Sequence, residues 1–144
     1  MTVPAKGRWM LQDLARHARR YGVPFVMNPH FPINTLALMR VATGIQLREP
    51  ARLGDYLEAV FGAIWRRGLN LGDPAVLAGV LVEAGFDAAA LAAQAADPEV
   101  KARLQATTEE AIERGVFGAP SFFVGDEMFF GQDRLEQVRE ALQR

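Results

Sequence analysis

One stretch near the C-terminus constrains the fold more than any other: Gly118-Ala119-Pro120-Ser121-Phe122-Phe123-Val124-Gly125-Asp126-Glu127-Met128-Phe129-Phe130-Gly131-Gln132-Asp133-Arg134. Ser121 to Val124 and Met128 to Phe130 are short apolar or aromatic runs around a Gly-Asp pair, which is a hairpin signal. Gln132 or Asp133 then caps a last helix, with Leu135, Val138 and Leu142 as its expected buried stripe. A ββα unit of this kind is marginal alone, because a two-stranded hairpin needs further strands or helices to cover it. Its first strand calls for a partner strand. The only other extended run is Val23–Met27, and Pro24 interrupts it. The expectation is therefore a sheet completed by further sequence or by another chain.

Helix signals dominate the sequence before this unit. Met10, Leu14, His17/Ala18 and Tyr21 recur at helical spacing, with Gly22 placed to end that helix. Asn28-Pro29-His30-Phe31-Pro32 cannot be helical, because each proline restricts the residue before it. Asn34 or Thr35 caps a helix expected to run to about Gly44. Pro50 suits the first turn of the next, whose face carries Leu53, Leu57, Val60, Phe61, Ile64 and Trp65, and Gly68 stops it. Asp73-Pro74 and Asp97-Pro98 each place a cap before a proline, and Asp87 opens an alanine-rich helix. Gly85 and Gly115 close two of these helices. The division read from this pattern is a helical region over 1–114 and a ββα unit over 115–144.

Composition excludes several function classes. There is no cysteine, so thiol chemistry needs a thiol brought by a ligand. The net charge of -1 exerts no pull toward nucleic acid or a membrane surface. Arg16, Arg19 and Arg20 form the only dense basic cluster, read as a solvated helix face. No run is long and apolar enough to span a bilayer, and no signal peptide is evident, which makes cytoplasmic the default expectation. The two histidines, His17 and His30, lack metal-ligand spacing, so no metal is expected.

Few residues stand out as chemistry-bearing. Gln132-Asp133 at a helix start offers free N–H groups to a carboxylate and a carboxylate to an ammonium, a pair of needs that an α-amino acid terminus has. A plain N-cap is the alternative reading. Lys6, beside Pro4 and Gly7, is placed in a loop before the first helix. His30 lies in the proline-rich loop. Trp9, Phe31 and Trp65 are either pocket walls or core.

Four separated segments together carry a resemblance: Pro4-Ala5-Lys6-Gly7-Arg8-Trp9-Met10, Tyr21-Gly22-Val23-Pro24, Asn28-Pro29-His30-Phe31-Pro32-Ile33-Asn34-Thr35-Leu36, and Gly115 through Arg134. The chain resembles the 2-hydroxychromene-2-carboxylate isomerase family, related to kappa-class glutathione transferases. The resemblance implies an α/β fold, thioredoxin-like of the kappa glutathione transferase type, with an inserted all-α domain. This chain then supplies mostly helix plus the C-terminal ββα unit. It implies a cis Ala119-Pro120 bond, with the backbone of Ala119 paired to the cysteinyl part of glutathione. Lys6 would contact glutathione, Gln132 and Asp133 would hold its γ-glutamyl end, and Trp9, His30, Phe31 and Asn34 would neighbour the substrate. Family members open with a strand and helix carrying a Ser-Pro-Tyr-like motif that stabilises the thiolate. This sequence holds no such motif, so the catalytic residue stays unassigned.

The function implied is a glutathione-dependent isomerase that opens 2-hydroxychromene-2-carboxylate-like hemiketals in aromatic catabolism, acting as a homodimer on a small aromatic 2-oxo or 2-hydroxy acid. The alternatives are a kappa-like glutathione transferase or peroxidase, and a non-enzymatic remnant that binds through its strand edge.

Overall fold

A computed structural model describes residues 4–144, which divide into two compact units, one over 4–101 and one over Ala102–Arg144. The first unit is helical: α1 (Pro4–Tyr21), α2 (Leu36–Arg48), a 3₁₀ turn at Pro50–Arg52, α3 (Leu53–Trp65), α4 (Pro74–Glu83) and α5 (Ala88–Ala96). α6 (Pro98–Glu113) follows, then β1 (Ser121–Val124), β2 (Glu127–Phe130), a 3₁₀ turn at Gln132–Arg134 and α7 (Leu135–Ala141).

Local capping chemistry sets most helix ends. Asp73 Oδ1 accepts from the Ala75 N–H at 2.8 Å, and Asp87 Oδ1 from the Ala90 N–H at 3.0 Å. Gly22, Gly68, Gly85 and Gly115 follow helix ends with φ between 65 and 84°, the left-handed conformation that lets the last carbonyls find donors. At Gly22 the Val23 N–H reaches back to the Ala18 carbonyl at 2.9 Å.

Gly44 behaves differently. It was expected to stop α2, yet the helix runs on to Arg48. The residue is a notch in the helix surface: Gln94 of α5 packs into it and donates from Nε2 to the Gly44 carbonyl at 2.9 Å. A Cβ at position 44 would lie 2.8 Å from both Cγ and Cδ of Gln94.

The core of this unit is built by Leu38, Val41 and Ile45 of α2, Tyr56, Val60 and Ile64 of α3, Val80 and Leu81 of α4, and Phe86 and Leu91. Tyr56, absent from the expected apolar face of α3, is one of its most buried members. Its hydroxyl donates to the Leu38 carbonyl at 2.8 Å, and its ring meets Phe86 edge-on. Leu57 and Phe61, expected on the buried face, are exposed instead.

Three further expectations are corrected. Val23–Met27 is not a strand. Its Val26 N–H donates to the Trp65 carbonyl at 2.7 Å, so the run is tied to the end of α3 and is unavailable to a sheet. Lys6 is not in a loop: Pro4 opens α1, which suits a residue with no N–H to leave unpaired, and Lys6 falls in the first turn. In α7, Leu135 and Leu142 are exposed and Ala141 is the buried residue.

In the second unit, β1 and β2 pair antiparallel with Phe122 opposite Phe129 and Phe123 opposite Met128. Gly125, at φ 59°, takes the first position of the two-residue turn, the placement that type II′ geometry asks of glycine. The turn chemistry was therefore legible even though Gly-Asp is not the commonest pair. α7 packs against β1. Arg114 stacks its guanidinium 3.6 Å from the centre of the Phe123 ring, and Phe117 lies against Phe130.

Asp97, between α5 and α6, accepts from the Glu99 N–H at 2.9 Å and pairs with Arg48 and its guanidinium. The Glu99 N–H first, and Arg48 second, hold the Asp97 carboxyl below its ordinary value. A folded-state value below the unfolded one means that the stabilisation is present above about pH 4 and lost as pH falls through the depressed value. In Asp97→Asn this acid-limb slope should flatten. Urea midpoints of both proteins between neutral pH and pH 3 check it, and equal slopes would refute it.

Candidate functional site

In the second unit, the candidate residues cluster around the start of β1. The Ala119-Pro120 bond is cis, as the sequence context led us to expect. The Pro120 carbonyl accepts from the Gly131 N–H at 3.0 Å, which fastens the segment to the end of β2. The Ala119 N–H and C=O carry no hydrogen bond among the described residues. Among those residues β1 also has β2 as its sole neighbour, so its other edge is open. An open edge with unpaired peptide groups is what an extended peptide-like ligand can pair with. Ser121, the only serine, donates its hydroxyl to the Gly118 carbonyl at 2.7 Å.

The Gln132-Asp133 pair sits across from this edge in sequence, directly after β2. It does not cap α7 as expected: the two residues belong, with Arg134, to a separate 3₁₀ turn, and α7 starts after Arg134 with no side-chain cap. Asp133 Oδ2 lies 2.7 Å from the Arg134 guanidinium in an exposed pair. Such a pair is worth little in water, so its carboxylate can still serve a second cation. Gln132 has an interaction of its own within the chain.

In the first unit, a loop pinned by a residue that sequence reasoning missed shapes two apolar cavities. Asn28 is 2% exposed. Its Nδ2 donates to the carbonyls of Ile64 and Leu69, each at 2.9 Å, and its Oδ1 accepts from the His30 N–H at 2.8 Å. This fixes the loop that carries Phe31, whose peptide bond to Pro32 is also cis. Phe25 stacks on Trp65 at 5.8 Å between ring centres, and Phe31 meets the same indole at 5.7 Å. One cavity, of about 510 Å³, lies between α1, this loop and α3. Met10, Leu14, Phe25, Phe31, Phe61 and Trp65 are among its walls. A second, of about 270 Å³, shares Phe31, Phe61 and Trp65 and reaches Tyr56.

The remaining candidates separate. Phe31 is a cavity wall. Trp9 and His30 are exposed and belong to neither of these walls. Lys6 is exposed and has no ion pair among the described residues. Asn34 uses Oδ1 to accept from the Leu36 N–H at 3.0 Å, a cap-like role, and lines a different cavity beside Arg40. Among the described residues no three His, Asp or Glu side chains gather as a metal site, and no helix is long and apolar enough to cross a membrane.

Comparison with known proteins fits this geometry. The family model described as DSBA-like thioredoxin domain matches residues 1–143. The 2-hydroxychromene-2-carboxylate isomerase of Pseudomonas putida is 32% identical over 132 residues, covering 92% of this chain and 63% of that protein. The chain thus spans less than two thirds of that relative's length. Glutathione S-transferase kappa 1 of Homo sapiens is 28% identical, covering 97% of this chain and 67% of that protein. A solved structure of 2-hydroxychromene-2-carboxylate isomerase superposes with a TM-score of 0.81 at 31% identity, over 98% of this chain and 68% of that one. The chain belongs to the DSBA-like thioredoxin domain family.

Proposed function

We propose that this member of the DSBA-like thioredoxin family binds glutathione and takes part in isomerising 2-hydroxychromene-2-carboxylate-like hemiketals to benzylidenepyruvates. The observation that carries the reading is the unpaired peptide group of Ala119 at the open edge of β1, in a chain with no cysteine of its own. The Ala119 N–H and C=O would pair with the peptide backbone of the cysteinyl part, and Pro120 shapes that edge. Asp133, with Gln132 beside it, would hold the ammonium and carboxylate of the γ-glutamyl end. The resemblance adds Lys6, which has no ion pair among the described residues, as a cationic contributor. When bound, glutathione supplies the thiol nucleophile for covalent catalysis.

The hydroxyl of Ser121 is committed to the Gly118 carbonyl. The group that lowers the thiol's pKa is therefore not assigned to it. The name of the human relative favours a second reading, glutathione transfer to a broader set of electrophiles. It predicts turnover without selectivity for hydroxychromene acids.

Titration calorimetry of the 144-residue chain with glutathione tests the first step. Saturable binding between micromolar and millimolar is expected. Asp133→Ala and Lys6→Ala should each weaken it about tenfold, the value of a hydrogen bond to a charged group. An absence of heat with the folded protein would overturn the reading.

A further inference from the structure

Arginines that border cavities in the helical unit are almost all neutralised. Arg48 pairs with Asp97 and Glu99, Arg52 faces Asp55 at 4.0 Å, and Arg66 holds Glu58 at 2.7 Å. Arg40 of α2 is the exception. It is partly buried and lines a cavity of about 270 Å³, yet it has neither an ion pair nor a hydrogen bond among the described residues. No carboxylate side chain belongs to that cavity. Its other walls include Asn34, Leu71, Gly72, Pro74 and Leu77. Arg40 is thus a partly buried cation in a cavity whose other walls are largely apolar, and no described residue offers it a counter-charge. Asn34 adds a second donor: its Oδ1 is occupied by the Leu36 N–H, and its Nδ2 has no partner among the described residues.

The geometry points to this cavity as a carboxylate pocket, in which Arg40 and the Asn34 Nδ2 take the anionic head of a small organic acid while Leu71, Pro74 and Leu77 take its hydrocarbon body. A planar guanidinium matches the two oxygens of a carboxylate, and the exposed Asn34 at the rim leaves a way in. The volume suits a compact acid. This assignment goes beyond the glutathione reading and does not depend on it, because the pocket is built within residues 34–77 and needs no thiol.

The test is titration of the folded chain with benzoate, with benzamide as the neutral analogue and acetate as the head group alone. Saturable benzoate binding is expected, with benzamide and acetate each about tenfold weaker or more. Arg40→Gln should cost benzoate about tenfold. Asn34→Asp keeps the acceptor for the Leu36 N–H, so it preserves the start of α2 while setting a like charge against the ligand. It should also weaken benzoate, and glutathione titration of Arg40→Gln should be unchanged. Equal binding of benzoate and benzamide, wild-type affinity in Arg40→Gln, or no saturable benzoate binding would each overturn the assignment. Acetate binding as tightly as benzoate would remove the apolar walls from it.

Discussion

Asn28→Asp should destabilise the helical unit most severely, with Asn28→Ala close behind. The wild-type side chain is buried and fully used: two donors satisfy the carbonyls of Ile64 and Leu69, and one acceptor takes the His30 N–H. Alanine leaves the buried Ile64 carbonyl and the partly buried Leu69 carbonyl and His30 N–H without this partner, at about 1–3 kcal/mol for a group that stays unmet and out of water. A loss of about 3 kcal/mol, or roughly 10 °C in melting temperature, is the expected result. Aspartate is worse at neutral pH because it turns a carboxylate toward two carbonyl oxygens. Burial raises that carboxyl's folded pKa above its unfolded value. Its protonated form restores one donor, so the variant should gain stability as pH falls and lose it as pH rises. Thermal unfolding followed by circular dichroism across pH 4 to 8 reads both effects. A melting temperature unchanged in Asn28→Ala would mean that the loop does not depend on this residue. The same variant should loosen Phe31 against Trp65 and so reshape both apolar cavities.

Gly44→Ala should cost about 2 kcal/mol despite the gain in helix propensity that alanine normally brings. The new methyl would stand 2.8 Å from Cγ and Cδ of Gln94, and these are inner atoms of a buried side chain rather than a free tip. Relief requires either the separation of α2 from α5 or loss of the Gln94 bond to the Gly44 carbonyl. Gln94→Ala alone should be mildly destabilising, since it vacates the notch and removes that bond. The double variant should then be more stable than the sum of the two single effects by about 1 kcal/mol or more, because the clash has gone. Urea unfolding of the four proteins completes the cycle. Strict additivity would show that the two residues do not constrain each other.

These two sites also mark where sequence reading stopped. Gly44 carries the residue type that ends helices elsewhere in this chain, at Gly22, Gly68, Gly85 and Gly115. What distinguishes it is a partner 50 positions away. Asn28 sits in a segment singled out for its prolines and for Phe31, while the carbonyls that Asn28 holds belong to the end of α3 and the turn after it. Tyr56 was overlooked because its hydroxyl makes it look like a surface residue. The Leu38 carbonyl satisfies that hydroxyl inside the core. Leu57, Phe61 and Trp65 do share a helical face, but that face borders the cavities, and the neighbouring one enters the core.

The sequence by itself determined the features whose physics is contained within a turn or two of chain. The Asp-Pro and Asp caps, the glycine helix ends and the hairpin with glycine first in its turn all rest on hydrogen bonds and steric limits among residues within a few positions of each other. Tertiary structure alone decided which helix face is core, why α2 passes through Gly44, why Val23–Met27 is fastened to α3 instead of joining a sheet, and why Arg40 has no counterion among the described residues while the cavity-lining Arg48, Arg52 and Arg66 each have one. Each of these depends on which distant group ends up within about 3 Å. A periodic pattern cannot carry that information, because burial and charge pairing are properties of the packed surface that several segments make together.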